Sequence, residues 1–187
     1  DAMQNSVPKG EGGMLAVLGL KIEDLEKILK DNQNKYEVQI ANDNSDGQIV
    51  LSGKIKDLQI LSEFFKNNKI KNIKLPVSAP FHCNLMSKAT EVMKKELEKI
   101  DFKQSKNILI SNVTADEISN ISDLKALLIS QIEKKVRWRE SILNMINKGV
   151  DQFIEIGPGK VLSGLIKRIN KDVKISSINS QSDIESL

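Results

Sequence analysis

The sequence has 187 residues, of which 40% are apolar, and its 28 Lys and Arg against 25 Asp and Glu leave a net charge of +3. Charges that nearly cancel exclude nucleic-acid binding by bulk positive charge, and 4% aromatic residues argue against a base-stacking platform. A single cysteine, Cys83, excludes an internal disulfide, and a single histidine beside it leaves few ligands for a transition metal.

Hydropathy and the first residues bear on location. No apolar run approaches the ~20 residues that span a bilayer, and the start of the chain lacks the basic and apolar regions of a signal peptide. We therefore expect a cytoplasmic protein with no membrane partner. Because position 1 is Asp1 and not Met, we also expect the chain to begin partway into a longer protein.

The first part of the chain predicts the order strand, helix, strand, strand, helix, strand, after a flexible glycine-rich lead at residues 5–13. Alternation or apolar runs predict the strands, and apolar residues at helical spacing predict the helices. Strands are expected at 14–18, 36–40, 48–52 and 73–77, helices around 22–29 and 58–65, and a polar loop at 42–47. This order is typical of a split βαβ, ferredoxin-like unit.

The second part of the chain predicts helices that alternate with strands. Helices are expected at 80–100, 124–134, 138–146 and after Lys160, strands at 108–110, 150–156 and 173–178, and a loose tail from Ser180. The run at 150–156 has the apolar character of a buried strand. Such alternation indicates part of a parallel α/β sheet.

His82 is the most suggestive single residue, because it follows a proline at a predicted strand-to-helix junction, where α/β folds place reactive groups. A histidine there could take a proton from a serine nucleophile and return it to a leaving thiol. A helix-capping or packed histidine is the alternative, and the residue taken alone favours that alternative.

No nucleophile in a usual setting accompanies His82. The chain has no G-x-S-x-G segment, and Ser163 falls in a predicted helix, where a surface position is expected. Cys83 adjoins His82, but neighbouring side chains on a helix do not face each other, which disfavours a Cys–His dyad.

Two features could bind phosphate, and each has a simpler interpretation. The cluster of Lys69, Lys71 and Lys74 could meet a polyphosphate, although a solvated face is the default for such charges. Residues 157–160 lack the spacing of a phosphate loop, so a tight strand-to-helix turn is expected there.

Five motifs follow one another along almost the whole chain. They are Met3-Gln4; Asn42-x-Asn44 with Gln48 and Gly53; Pro80-Phe81-His82-Cys83-x-Leu85-Met86; Gln131 with Val136-x-Trp138; and Glu155-x-Gly157-Pro158-Gly159-Lys160-Val161-Leu162. Each is weak alone, but in this order and spacing they resemble the malonyl-CoA:acyl carrier protein transacylase family.

The resemblance implies an α/β fold of two subdomains. A ferredoxin-like βαββαβ small subdomain would span residues 11–76. Residues 77–187 would form the C-terminal part of a larger α/β-hydrolase-like acyltransferase subdomain. Residues 1–10 would connect the chain to a missing N-terminal part.

The resemblance also implies roles for seven residues. His82 matches the catalytic histidine, and Gln131 matches the residue whose backbone carbonyl orients that imidazole, where a triad would use Asp. The other five match positions that would contact the substrate. Gln48 would contact coenzyme A and Lys71 its phosphates, Asn42 and Asn44 would lie beside the pocket, and Phe81 would exclude branched acyl groups by its bulk.

The family's nucleophilic serine in its G-H-S-x-G elbow, its oxyanion-hole donors and its carboxylate-binding arginine would all lie upstream of Asp1. We therefore expect this chain to be inactive alone and to expose apolar edges where central strands are missing. The implied substrates are malonyl-CoA and the phosphopantetheine thiol of acyl carrier protein. No cofactor is implied, and the intact enzyme is expected to be a monomer.

Other interpretations stay open. Within the same class, the chain could come from a polyketide-type synthase, although its polar end favours a terminus. From another class, it could be a non-catalytic module that binds acyl carrier protein through Lys71 and its neighbours in a salt-sensitive manner. A ferredoxin-like RNA-binding domain is disfavoured, because the predicted strands lack paired aromatic residues.

Overall fold

The computed structural model describes residues 1–32 and 35–185 of a mixed α/β protein. In this part of the chain, no helix is long and apolar enough to cross a membrane. The strands are β1 (Gly12–Leu18), β2 (Val38–Ser45), β3 (Gln48–Lys54), β4 (Lys71–Lys74), β5 (Gln152–Ile156) and β6 (Lys174–Ile178). The helices are α1 (Ile22–Asp31), α2 (Ile55–Asn67), α3 (Ser87–Glu98), α4 (Ile121–Ser130), α5 (Trp138–Asn147), α6 (Val161–Ile169) and α7 (Gln181–Ile184).

The first part of the chain forms a four-stranded antiparallel sheet in the order β2-β3-β1-β4. Side chains alternate along β1, so that Leu15 and Val17 pack under α1 and α2 with Leu25 and Phe65. Burial of each such side chain contributes about 1.5–3 kcal/mol. The predicted order of strand, helix, strand, strand, helix, strand is the one observed.

The opposite face of this sheet is covered by the segment that follows β4. Met14, Ala16 and Val50 face that way, and the half-buried Phe81 packs against them. Phe81 also packs against a second cluster, which consists of the buried residues Ala79, Met86, Ala89 and Ile132. The Phe81 side chain therefore joins the sheet to the part of the chain that follows it.

The last part of the chain contains a parallel pair, β5 and β6, connected by α6. The helix buries Leu165 and Ile166, while Ile154 and Ile156 on β5 are 47% and 79% exposed. The prediction of a buried strand at 150–156 is wrong for these residues, because α6 covers one face of the pair and the other face is open.

The predicted polar loop at 42–47 is also wrong. β2 continues through Ser45, and the chain reverses at Asp46 and Gly47, where Gly47 has a positive φ of 71°. Register shifts after Ile40 and after Asp43 let this polar stretch pair with β3. Asn42 and Asn44 consequently belong to a strand.

Other boundaries differ from the prediction. The strand expected at 73–77 is Lys71–Lys74, since Pro76 cannot donate to a ladder. The strand expected at 108–110 is absent from the described residues, where Ile110 forms a single bridge to Glu117 and Ile108 is exposed. The helix expected from residue 80 starts at Ser87, after a 3-10 turn at Asn84–Met86.

Both ends of the chain are more ordered than expected. The lead at 5–13 contains the buried Ser6, and Val7 packs against the cluster around Met86. In the tail, Ser180 caps α7, with its side chain and that of Asp183 bonding to each other's backbone amides. Residues 186 and 187, the end of the predicted loose tail, lie outside the described residues.

Candidate active site

His82 lies in a tight loop that is fixed to the sheet at both ends. Before it, Pro80 rests on the start of β1, where a Cβ atom on Gly12 would lie 2.4 Å from Pro80 Cγ. Only glycine allows this approach without a shift. After it, the amide of Asn84 donates a hydrogen bond to Gln39 Oε1 in β2 at 2.7 Å.

The backbone and ring of His82 are both constrained. Its φ of 59° is uncommon for a residue with a side chain and costs about 1–3 kcal/mol. Its Nδ1 lies 2.8 Å from the backbone oxygen of Gln131. Because a carbonyl oxygen only accepts, Nδ1 carries the hydrogen, and Nε2 of the neutral ring holds the lone pair.

Electrostatics favour this neutral ring. Burial lowers the pKa of His82 from its ordinary 6.5, and the hydrogen bond to the Gln131 carbonyl opposes that shift. The imidazole is therefore mostly unprotonated near neutral pH, as a general base requires.

Gln131 is placed by the end of α4 and by β2. The carbonyl groups of a helix end lack partners within the helix, and the Gln131 carbonyl finds one in His82. A few residues later Val136 joins β2, where its amide donates to the Ala41 oxygen at 2.7 Å. The amide of Asp43 donates back to the Val136 oxygen at 2.9 Å.

Beside this junction lies a buried ion pair that the sequence analysis missed. Asp43 is 1% exposed, and Arg139 Nε in α5 donates to both of its carboxylate oxygens at 3.0 Å. Burial raises the pKa of Asp43 while Arg139 opposes the rise, and the carboxylate raises the pKa of Arg139. A charged residue inside β2 was the available signal, but nothing pointed to a partner 96 residues away.

The residues expected to contact coenzyme A lie at one end of the sheet. Gln48 and Lys71 both pair with Leu18, one from each side, so all three side chains share the face that carries Met14. Gln48 Oε1 accepts a hydrogen bond from Arg168 in α6, whereas Lys71 is exposed.

The two asparagines lie on the edge strand β2. Asn42 pairs with Val50 of β3 on one side and with Val136 on the other, which places it next to the Gln131–Val136 junction. Asn44 lies at the second register shift of the strand. The roles expected for Gln48, Lys71, Phe81 and both asparagines stay predictions.

The other candidate nucleophiles are in unsuitable surroundings. Cys83 is buried, its thiol donates to the Pro80 oxygen at 3.1 Å, and burial raises its pKa. Ser163 is buried as well, so the expected surface position is wrong. Its hydroxyl donates to the Glu155 carboxylate at 2.6 Å. The same carboxylate accepts hydrogen bonds from backbone amides in the first turn of α6.

The described residues 1–32 and 35–185 contain a pocket that lies apart from His82. A pocket of about 400 Å³ lies on the helical side of the sheet, where Leu58, Ser62 and Lys74 help to line it and His82 does not. In residues 1–32 and 35–185, no group of three or more His, Cys, Asp and Glu residues could hold a metal ion.

Solved structures of acyltransferases resemble this chain. No protein-family model matches the chain. A solved malonyl CoA-acyl carrier protein transacylase from Clostridium perfringens ATCC 13124 is 42% identical, with a TM-score of 0.94 over 99% of this chain and 58% of that one. A malonyl-transacylase solved in complex with its type II PKS acyl-carrier protein is 31% identical, with a TM-score of 0.92 over 99% of this chain and 60% of that one.

A curated relative shows the same similarity. The malonyl CoA-acyl carrier protein transacylase of Bacillus subtilis (strain 168) is 44% identical over 185 residues, which are 98% of this chain. This chain is thus similar to a malonyl CoA-acyl carrier protein transacylase over nearly its whole length, and it spans 58% of the length of that relative.

Proposed function

We propose that this chain is the histidine-bearing part of an enzyme that transfers malonyl groups from malonyl-CoA to the phosphopantetheine thiol of acyl carrier protein in fatty acid biosynthesis. The observation that carries the proposal is the 2.8 Å contact between His82 Nδ1 and the Gln131 oxygen, which leaves Nε2 as a base. The names of the relatives supply the reaction.

The proposed mechanism is a ping-pong transfer in which His82 handles the protons. Nε2 takes the proton of a serine hydroxyl as its oxygen attacks the malonyl thioester. The C–S bond then breaks, and the coenzyme A sulfur leaves with the proton from Nε2. The carrier thiol then gives its proton to Nε2 as its sulfur attacks the acyl-serine carbonyl. The bond between that carbonyl carbon and the serine oxygen breaks, and Nε2 returns the proton to the serine. The Gln131 carbonyl stabilises the imidazolium that forms in each half-reaction.

The serine of this mechanism would come from a part of the enzyme that this chain does not span. No G-x-S-x-G segment occurs in the 187 residues, and Cys83 and Ser163 are buried. We therefore propose that the chain has no transacylase activity by itself.

The proposed subdomains follow the same division as the sheets. The order β2-β3-β1-β4, with α1 and α2 on one face, supports a ferredoxin-like subdomain at residues 11–76. The α6 connection between parallel strands β5 and β6 supports an α/β subdomain at residues 77–187. His82 would lie between the two.

The proposed substrate contacts would come from strand β2 and from the face of the sheet that Phe81 covers. Gln48 would contact coenzyme A and Lys71 its phosphates, at the end where both flank Leu18. Asn42 and Asn44 would border the same pocket from β2. Phe81 would disfavour an α-methyl group on the substrate, a steric preference worth about 1–3 kcal/mol.

The test is malonyl transfer to holo acyl carrier protein, measured for this chain and for a polypeptide that also carries a G-x-S-x-G segment. We expect turnover from the longer polypeptide only. His82→Ala should reduce its kcat/KM at least 10²-fold, on the order of a lost general base. Ser163→Ala is the control at a hydroxyl with no proposed role and should keep near-normal turnover.

Other outcomes separate the alternatives. Turnover by the 187-residue chain alone would mean that it contains a nucleophile, with Cys83 and Ser163 the first to replace. Salt-sensitive carrier binding without turnover, unaffected by His82→Ala, would support a non-catalytic module. A preference for methylmalonyl-CoA over malonyl-CoA would contradict the role given to Phe81.

A further inference from the structure

We propose that the buried pair of Asp43 and Arg139 positions the Gln131 carbonyl against His82. Neither side chain hydrogen-bonds to His82, so both are positioning residues that act through the connection between α4 and α5. The inference rests on the proposed function, because it concerns the same histidine.

Strand β2 holds both members of the His82–Gln131 contact. On the histidine side, Gln39 accepts the amide of Asn84, two residues after His82, at 2.7 Å. On the glutamine side, Val136 pairs with the backbone of the same strand, five residues after Gln131. The distance between the imidazole and the carbonyl therefore depends on how firmly each side is attached to β2.

The segment that contains Gln131 is attached to β2 by only a short stretch of backbone pairing. Val136 forms an isolated bridge, with one hydrogen bond to Ala41 and one from Asp43. A single bridge has no neighbouring ladder bonds to reinforce it, and an ordinary hydrogen bond contributes little net free energy. On the side of α3 the same connection is held by Ile132, which is buried with Met86, and by the Thr90 hydroxyl, which donates to Glu133.

On the side of β2 the ion pair adds a side-chain contact to the backbone bridge. Asp43 contacts the α4–α5 connection at two points. Its amide donates to the Val136 oxygen, and its carboxylate accepts hydrogen bonds from Arg139, three residues later. Arg139 Nη2 lies 2.9 Å from the same carboxylate, so the guanidinium is held by more than one atom. The pair thus fixes both the position and the direction of the start of α5.

A role in geometry also explains why charges are buried here. Desolvation offsets much of the attraction within a buried ion pair, and fixing register is the best-attested use of such groups. Asp43 is nearly inaccessible, so its carboxylate has no alternative partner in water that would let the connection slide.

The test uses the fact that the chain has one histidine. The imidazole ¹⁵N shifts of the labelled 187-residue protein at pH 8 report the ratio of the Nδ1–H to the Nε2–H tautomer. Arg139→Gln is expected to lower this ratio about fivefold, the factor for loss of one ordinary hydrogen bond. The matched control is Lys148→Gln, which breaks a 2.8 Å ion pair to Asp116 near the end of α5 and should leave the ratio unchanged.

Two more variants separate geometry from charge and from stability. The double variant Asp43→Ala with Arg139→Ala leaves no unpaired carboxylate. A lowered tautomer ratio in this variant means that positioning of the Gln131 carbonyl is lost. A normal ratio means that Arg139→Gln acts through the charge of the unpaired carboxylate, which overturns the proposal. Arg139→Lys keeps the positive charge but loses the two-atom contact of the guanidinium with the carboxylate. Its tautomer ratio should lie between that of the unaltered chain and that expected for Arg139→Gln, and it can be measured even if Arg139→Gln does not fold.

A lower melting temperature for Arg139→Gln with an unchanged tautomer ratio would make the pair merely structural and overturn the proposal. The tautomer measurement does not depend on turnover. A shift in the ratio without malonyl transfer by any longer polypeptide would therefore refute the proposed function and leave the positioning intact.

Discussion

At the scale of single residues, the environment of His82 links its chemistry to folding. The same burial that keeps the ring neutral places a group with a lowered pKa inside the folded chain. Between the lowered value and the ordinary 6.5, the unfolded chain binds more protons than the folded one. This contribution to stability is therefore intact above the ordinary pKa and is lost as the pH falls below it.

The first prediction follows from that sign. The free energy of unfolding of the unaltered chain should fall more steeply between pH 7.5 and pH 5 than that of His82→Gln, whose side chain does not titrate. Urea unfolding at several pH values measures the difference between the two proteins, so the titration of other groups cancels. Parallel profiles would mean that the His82 pKa is the same in the folded and unfolded states.

At the scale of elements, the fit between β1 and the histidine loop depends on the missing side chain of Gly12. In Gly12→Ala the new methyl group would lie 2.4 Å from Pro80 Cγ and 2.6 Å from its Cδ, and a proline ring cannot rotate away. We expect a loss of about 1–3 kcal/mol, as for other overpacked sites, and a change in the His82 resonances.

The matched control for this change is Gly164→Ala, in α6. Apart from its chain neighbours and the backbone of its own helix, no atom would lie within 4 Å of the new methyl group, and alanine is the better helix former by about 1 kcal/mol. Thermal unfolding should therefore move in opposite directions for the two variants. Equal effects would show that the Gly12–Pro80 approach is not a constraint.

What could be predicted at this scale depended on how local the cause was. The helices α1, α2, α5 and α6 follow from apolar residues at helical spacing, a property of each segment alone. The sequence pattern predicts a strand that ends at residue 40, whereas β2 continues to Ser45, because its polar half pairs through register shifts and contacts Arg139, which lies far along the chain. The prediction of a strand at 108–110 is wrong for a different reason. Apolar residues form a strand only when another strand is near enough to pair, and Ile108 is exposed.

The candidate site divides in the same way. His82 and Gln131 were named through the resemblance, and the structure brings their Nδ1 and O atoms together. Gln39, Asp43 and Arg139 were not named, although they hold that pair in place. Their contacts join β2 to segments about 45 and 96 residues away, a distance over which composition and periodicity carry no information.

At the scale of the whole molecule, Phe81 packs against two buried clusters, one on the sheet and one in the part of the chain that follows it. It packs on Met14 and Val50 of the sheet and on Met86 and Ile132 of the following part. The sheet has its own core on the other face, around Phe65, which does not depend on this ring. The two parts of the chain should therefore differ in their response when the ring is removed.

Phe81→Ala tests this difference. A buried Phe→Ala change costs about 3–5 kcal/mol, and a half-buried ring should cost about half of that. Hydrogen exchange should rise most in α3, whose inner face loses its contact with the sheet, and least in β1 and β3, which keep the core around Phe65. Phe102→Ala, at a half-buried ring beside Lys125, is the control and should leave α3 protected. A uniform loss of protection would instead show that the sheet and α3 unfold together as one cooperative unit, which would contradict this prediction.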